Sequence, residues 1–295
     1  MLDWLPVFKD KLLDQELKKS GIVKFDLSNA AMASNVEKKL AELVPNYDTN
    51  IGEHFYGSVS LQEKSLKEKV HQELSQLLSP FLESILSHHK LLIYFYLVKV
   101  VGEKSVLNLH QDWSIIDERK FRAYNVWIPL VDSTIENGTL HALKGSQNFP
   151  LNIRGANISP KYFEHFDVAK QYMQPIDVKL GEALLFDSRL LHFSPPNRSN
   201  KARTAVVNNI IPTETETLSV HGNESEGKLS VNQYKVPEDL FIHYNDFVNQ
   251  KDDPNPKGEL IGEIDYGNIG AVSNEEFQQL LKEFVIKKKW YQVFK

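Results

Sequence analysis

A chain of 295 residues, 41% hydrophobic and 25% charged, is long enough to bury one large core. It has no cysteine, which excludes disulfides, zinc–thiolate sites, iron–sulfur clusters and thiol nucleophiles, so any transition metal must be held by imidazole and carboxylate. A net charge of −5 speaks against a nucleic-acid or anionic-membrane partner.

No basic region followed by an apolar run opens the chain, and the longest apolar stretch, Leu91 to Val101, is broken by Lys99 and too short to span a bilayer. The last residues match no sorting signal. The expectation is a soluble, cytoplasmic protein with no membrane partner.

Residues 7–19 read as a short charged helix stopped by Gly21, followed by a strand from Ile22. Ser28 or Asn29 can cap a helix to about Leu43. Over 59–89, Leu61, Leu66, Val70, Leu74 and Leu78 recur at helical steps. Pro80 is expected to split that helix in two, with His88 and His89 solvated at its end.

From Leu91 to Pro212 the text becomes β-like. Candidate strands are 92–101, 106–113, 123–130, 139–143, 176–180, 182–187 and 203–211, with turns at Gly102, Asn137-Gly138 and Gly145-Ser146. Short strands without intervening helices predict an antiparallel sandwich or barrel. The long aromatic segment 151–175 has the length of a lid or binding loop. Residues 213–258 read as a hairpin plus an ordered arm, or as a mobile loop. Ser273-Asn274-Glu275-Glu276 is a capping box before a final helix. The whole reads as one domain over 1–295: a helical N-terminal region over 1–90, a β core over 91–212, and an arm and helix over 213–295.

Within the 106–113 strand, His110 and Asp112 are two residues apart and share a face, as Asn108 does. Two such ligands can take adjacent positions on one metal ion. Of the other histidines, His54, His71, His165, His221 and His243 lack any neighbouring ligand pattern and read as structural, while His141 sits in a strand. His192 stands out, because an apolar strand, Ala183 to Phe186, runs into it just before Ser194-Pro195-Pro196. A hairpin from 184–192 into 203–210 would let His192 and Arg203 face one cavity.

These blocks resemble the phytanoyl-CoA dioxygenase (PhyH)-like family of Fe(II)- and 2-oxoglutarate-dependent dioxygenases. His110-Gln111-Asp112 looks like its His-x-Asp pair; Trp127 to Asp132, with Asn137-Gly138 and Gly145-Ser146, looks like its central hairpin. His192-Phe193-Ser194 and Arg203 look like its distal histidine and its co-substrate arginine. Gln147 departs from a common histidine.

The resemblance implies a mainly β fold with flanking helices around a double-stranded β-helix (jelly-roll, cupin-like) core. It implies His110, Asp112 and His192 as ligands of Fe(II), with 2-oxoglutarate and O2 as co-substrates and hydroxylation of an unactivated C–H bond of a small molecule as the outcome. Arg203 is then expected to grip the distal carboxylate of 2-oxoglutarate, with Ser194, Asn108, Asn125 and Trp127 lining that pocket or orienting the ligands. The carboxylate of Asp112 favours hydroxylation over halogenation. A cupin-type metalloenzyme that does not use 2-oxoglutarate, and a non-catalytic β-sandwich that binds a ligand, stand as alternatives.

Overall fold

The structure, a computed structural model, describes residues 5–27, 30–48, 55–225, 228–243, 258–263 and 272–286. The Ser28/Asn29 cap, His54, and stretches of the 46–58 loop and the 213–258 arm lie outside the described residues.

Helix α1 (Lys11–Ser20) starts because the Asp10 carboxylate accepts from the N–H groups of Leu12 and Leu13, and it ends because Gly21 takes a left-handed φ of 79°. Strand β1 (Ile22–Asp26), helix α2 (Ala30–Leu43) and strand β2 (Phe55–Gly57) follow. Helix α3 (Lys64–Ile85) corrects the two-piece expectation, since it runs unbroken through Pro80. Proline forfeits one backbone N–H. The fully buried Val70, Leu74, Leu78 and Leu82 keep one continuous packing face, which outweighs that loss.

Strand β3 (His89–Lys99) starts earlier than its apolar text suggests. His89 is therefore not solvated: it is half-buried in the strand and packs edge-on to Tyr124 at 5.6 Å, while His88 is exposed in the turn before it at φ 53°. The chain continues through β4 (Leu107–His110), β5 (Tyr124–Pro129), β6 (His141–Ala142), α4 (Phe166–Lys170), β7 (Gln174–Pro175), β8 (Glu182–Asp187), β9 (His192–Ser194) and β10 (Arg203–Pro212). The 176–180 text contributes only a bridge between Ser133 and Val178.

The strands build a six-stranded sheet, β1-β8-β5-β10-β3-β2, and a four-stranded sheet, β4-β9-β6-β7, which together make the jelly-roll core. Every pairing in both sheets is antiparallel. The hairpin expected between 184–192 and 203–210 does not form. β5 lies between β8 and β10, and the chain crosses to the smaller sheet as β9 before returning. A three-stranded sheet of β11 (Leu218–Ser225), β12 (Lys228–Lys235) and β13 (Glu259–Glu263) confirms the predicted hairpin. Helix α5 (Asn274–Leu280) carries the full capping box of Ser273 and Glu276.

Period-two alternation sorts the large sheet into two faces. Tyr94, Tyr96, Val98, Val126, Ile128 and Val206 pack under the N-terminal helices. Phe95, Leu97, Trp127, Ala205 and Val207 take the opposite side, toward the interior. Leu109, Leu143, Leu191 and Phe193 of the smaller sheet and its turns are backed by Phe149 and by Phe277 and Leu281 of the last helix. No helix among the described residues is long and apolar enough to cross a membrane.

Phe277 is fully buried against Phe149 and Tyr162. Phe277→Ala should cost about 3–5 kcal/mol of stability in urea unfolding. A loss below about 1 kcal/mol would show that the last helix does not underpin the smaller sheet.

Candidate metal centre and its cavity

His110, Asp112 and His192 converge: one ligand atom from each lies within 4.8 Å of the others. His110 Nε2 is 3.6 Å and His192 Nε2 3.9 Å from Asp112 Oδ1. The two rings sit 4.2 Å apart, inclined at 51°. Strands β4 and β9 bring them together, with His110 paired opposite His192.

Each histidine is held in one tautomer by the backbone. His110 Nδ1 meets the carbonyl of Asn108 at 2.7 Å, and His192 Nδ1 meets that of Leu190 at 2.9 Å. A carbonyl only accepts, so each Nδ1 carries the proton and each Nε2 turns a lone pair toward Asp112. Burial, helped by the neighbouring His110, pushes the His192 pKa down to about 4, so that ring is neutral at pH 7. Burial works against charge on His110 too, but the adjoining carboxylate outweighs it and raises its pKa. Burial is likewise outweighed at Asp112, where His192 and His110 hold the carboxyl below its usual range. Two imidazoles and one carboxylate, converging from one side, suit a divalent transition metal with positions left open.

The alternation expected for Asn108, His110 and Asp112 does not hold. Between Leu107 and His110 the β4–β9 register shifts, and β4 ends at His110, so Asp112 follows the strand. The bulge turns Asn108 outward, where it is exposed, and it reaches the site only through its carbonyl. Asp112 is instead placed by its own contacts. Its N–H donates to the Ser188 carbonyl at 2.9 Å, and its Oδ2 accepts from Asn125 Nδ2 at 2.6 Å. Asn125 Oδ1 in turn accepts from Asn209, its cross-strand partner on β10. Arg154 donates to the Asp112 carbonyl at 2.6 Å while its other nitrogens grip Glu118 at 2.6 and 2.8 Å.

The triad opens into a cavity of about 480 Å3, within the usual span for small-molecule sites, roughly 300–1,000 Å3. Trp127, Asn125, Arg203 and Ser194 line it, as expected, and so does the 152–162 stretch of the long loop. Arg203 is buried, with its guanidinium 5.1 Å above the Trp127 ring. It donates to the Gly138 carbonyl at 2.7 Å and to Ser133 Oγ at 3.3 Å; its Nε has no partner. Burial pulls its pKa down to about 9. Ser194 is less available than expected, since its hydroxyl donates to the same Gly138 carbonyl at 2.7 Å. Gly138 has φ 73°, and a Cβ there would collide with the Pro195 carbonyl and the Lys99 stem.

Lys99, paired in register with Arg203, is also buried and donates to the Ser105 and Ser194 carbonyls. Burial, reinforced by Arg203, lowers its pKa to about 7. Its parity matches the in-facing residues of β3; a carboxylate contact is one sequence reading of Lys99, but solvation is the commoner fate of such a lysine, and here it is buried. Gln147 is buried among Lys19, Gly21 and Arg122, outside the cavity wall. Among the described residues, His71 accepts from the Tyr94 N–H, His165 stacks on Phe277 at 4.5 Å, His221 bonds Ser219, and His243 meets Glu68. His141 packs on Phe193 at 4.8 Å, outside the cavity wall.

Sequence reading missed Asn209, Arg154 and Glu118. Asn209 shares the parity of Arg203 along β10 and could have been found by counting; Arg154 and Glu118 lie in irregular segments, where no period applies.

A jelly-roll with a His-x-Asp pair and a distal histidine at its mouth defines a class of mononuclear metalloproteins. Residues 30–205 match the model of the family described as phytanoyl-CoA dioxygenase (PhyH), and the chain belongs to that family. It is 28% identical over 133 residues to a phytanoyl-CoA dioxygenase domain-containing protein 1 homolog of Dictyostelium discoideum, covering 42% of this chain and 46% of that protein. It is 30% identical over 161 residues to a phytanoyl-CoA dioxygenase of Arabidopsis thaliana, covering 50% of each. The match thus spans about half the length of these relatives. The fold is shared with the non-heme alpha ketoglutarate dependent epimerase SnoN (TM-score 0.51, 15% identity, 85% of this chain and 94% of that one). It is also shared with the carbocyclase SnoK, both from nogalamycin biosynthesis (TM-score 0.50, 15% identity, 70% and 86%).

Two predictions test this geometry. Asn125→Leu and Arg154→Met should each weaken divalent-metal binding about 10- to 100-fold in calorimetry, because each frees one side of Asp112; unchanged affinity would remove the orienting role. Lys99 keeps its proton to its usual range when unfolded but only to about pH 7 when folded, so its cost is full below pH 7 and fades as pH rises toward 10. Lys99→Met should therefore raise Tm more at pH 6 than at pH 9, and an equal gain at both would refute a charged buried lysine.

Proposed function

We propose that the chain is a cytoplasmic, non-haem Fe(II)- and 2-oxoglutarate-dependent dioxygenase that hydroxylates an unactivated C–H bond of a small molecule, releasing succinate and CO2. The observation that carries this reading is Arg203: a buried guanidinium on the wall of the triad's own cavity, with no carboxylate hydrogen-bonded to it. A buried cation without a counter-ion is costly, and a ligand carboxylate is the natural partner for its planar fork.

In this reading His110, Asp112 and His192 hold Fe(II), which with O2 and 2-oxoglutarate supplies the oxidising power. The protein's own residues do the rest. The backbone carbonyls of Asn108 and Leu190 keep both Nε2 lone pairs free. Asn125 holds one carboxylate oxygen of Asp112 and leaves Oδ1 facing the histidines. Arg203, 5.1 Å over the Trp127 ring, anchors the far carboxylate of the co-substrate, and Lys99 adds a second positive charge behind it. Ser194 keeps the Gly138 carbonyl in place beneath the arginine. Because Asp112 fills the third protein position, no site is left for a halide, which favours oxygen transfer.

Anaerobic protein reconstituted with Fe(II) should bind 2-oxoglutarate in a 1:1 ratio and form succinate when O2 is admitted; failure of both would sink this reading. Asp112→Ala and His192→Ala should abolish Fe(II) binding. Arg203→Met should raise the Kd for 2-oxoglutarate about 10- to 100-fold with metal binding retained, since a bidentate charge-assisted pair is lost. Turnover without 2-oxoglutarate, insensitive to Arg203→Met, would instead support a cupin-type enzyme.

A further inference from the structure

Asp112, Asn125 and Asn209 form a relay whose polarity is set at one end. A carboxylate only accepts, so the Asn125 atom that meets Asp112 Oδ2 at 2.6 Å is its Nδ2 donor. Asn125 Oδ1 is then an acceptor, and the Asn209 group that meets it must donate. Which way an amide points is usually ambiguous; here the charge on Asp112 decides it for both residues. Asn209 is held with Nδ2 on Asn125 and with Oδ1 as the open end of the relay.

That open end belongs to the cavity. Asn209 stands opposite Asn125 in the regular β10–β5 pairing and shares the parity of Arg203, Ala205 and Val207, all on the inner face. It is partly exposed and lines the cavity. Among the described residues nothing donates to its Oδ1, and that oxygen is not one of the shielded polar atoms of the chain. Because the amide nitrogen is tied down, Asn209 offers the cavity an acceptor in a fixed direction, two hydrogen bonds away from a triad ligand.

The surroundings narrow what that acceptor can meet. Among the described residues the only carboxylate on the wall is Asp112. Arg154 is neutralised by Glu118 in a buried two-point ion pair, and Arg203 is assigned above to the co-substrate. Phe55, Phe95, Leu97, Leu107 and Ile115 stand half-buried on the same wall. An ammonium group at Asn209 would be desolvated with no free carboxylate to balance its charge. A carboxylate or phosphate would set lone pairs against lone pairs. A neutral donor meets neither cost.

Resting on the dioxygenase reading, we propose that Asn209 is a specificity-determining residue: its Oδ1 accepts a hydrogen bond from a hydroxyl of a neutral, largely apolar substrate and so fixes how that substrate lies beside the triad. The rest of the molecule is left to the apolar wall.

The test is calorimetry on the full chain loaded with Mn(II), alone and with 2-oxoglutarate, using two isomers that differ by one donor, 1-heptanol and 1-methoxyhexane. Heptylammonium and heptanoate are the charged counterparts. The alcohol should bind about three- to tenfold more tightly than the ether, the worth of one hydrogen bond, and more tightly than either ion. Asn209→Leu should bring the alcohol down to the level of the ether, and Asn209→Val, which suits a strand, is read instead if the leucine variant does not fold. A merely structural role for Asn209 would weaken alcohol and ether together and leave their ratio intact. Equal binding of the two isomers by the native chain, a ratio that survives the substitution, an ion bound as tightly as the alcohol, or binding of none of the four would each overturn the proposal. Loss of 2-oxoglutarate binding with the alcohol preference intact would sink the dioxygenase reading alone; 2-oxoglutarate bound with no alcohol preference would sink this proposal alone.

Discussion

The hydrogen bond from Asn125 to Asp112 joins the two sheets at the point where the chemistry is built. Asp112 follows the last residue of a smaller-sheet strand, and Asn125 stands on the inner face of the large sheet. Its partner Asn209 comes from the next strand over, so one carboxylate is braced by two adjacent strands of the opposite sheet. Buried amides that satisfy one another in a chain are stiff, because breaking any link leaves two polar groups unmet. The two histidines need no such brace, since each is clamped by a carbonyl two residues upstream on its own chain.

How much of this was legible depends on regularity. Strand β5 is regular, and there counting put Asn125 and Trp127 on one face, whereas Arg203 was reached through the family resemblance and a hairpin that does not form. The convergence of His110, Asp112 and His192 was readable from spacing and from resemblance to a known family. What failed did so for local reasons. A bulge in β4 turned Asn108 outward, and a buried leucine face carried α3 through Pro80. The Arg154–Glu118 pair joins two irregular segments and has no signature in either. The crossover that separates β8 from β10 is a long-range property that the local hairpin pattern hid.

The electrostatics of the cavity are uneven. One end holds two imidazoles and a carboxylate; another region holds Arg203, with Lys99 paired beside it, and neither cation has a carboxylate partner in its hydrogen bonds. Both cations have lowered pKa values because burial opposes their charge. Keeping such groups buried costs stability, as is common where a fold carries strain. Elsewhere on the wall the ion pairs close on themselves, which confines the unmet charge to one place.

The backing of the smaller sheet by the last helix also bears on the order in which the molecule is made. Leu109 and Phe193 flank the two histidines, and their outer surface is covered by Phe277 and Leu281. These residues leave the ribosome long after His192 does, and a sheet with one bare apolar face is not stable by itself. The two strands that carry the histidines thus have their outer apolar face closed by the segment of the chain made last, residues 272–286. Trp113, 40% exposed, stands beside the triad on the cavity lining.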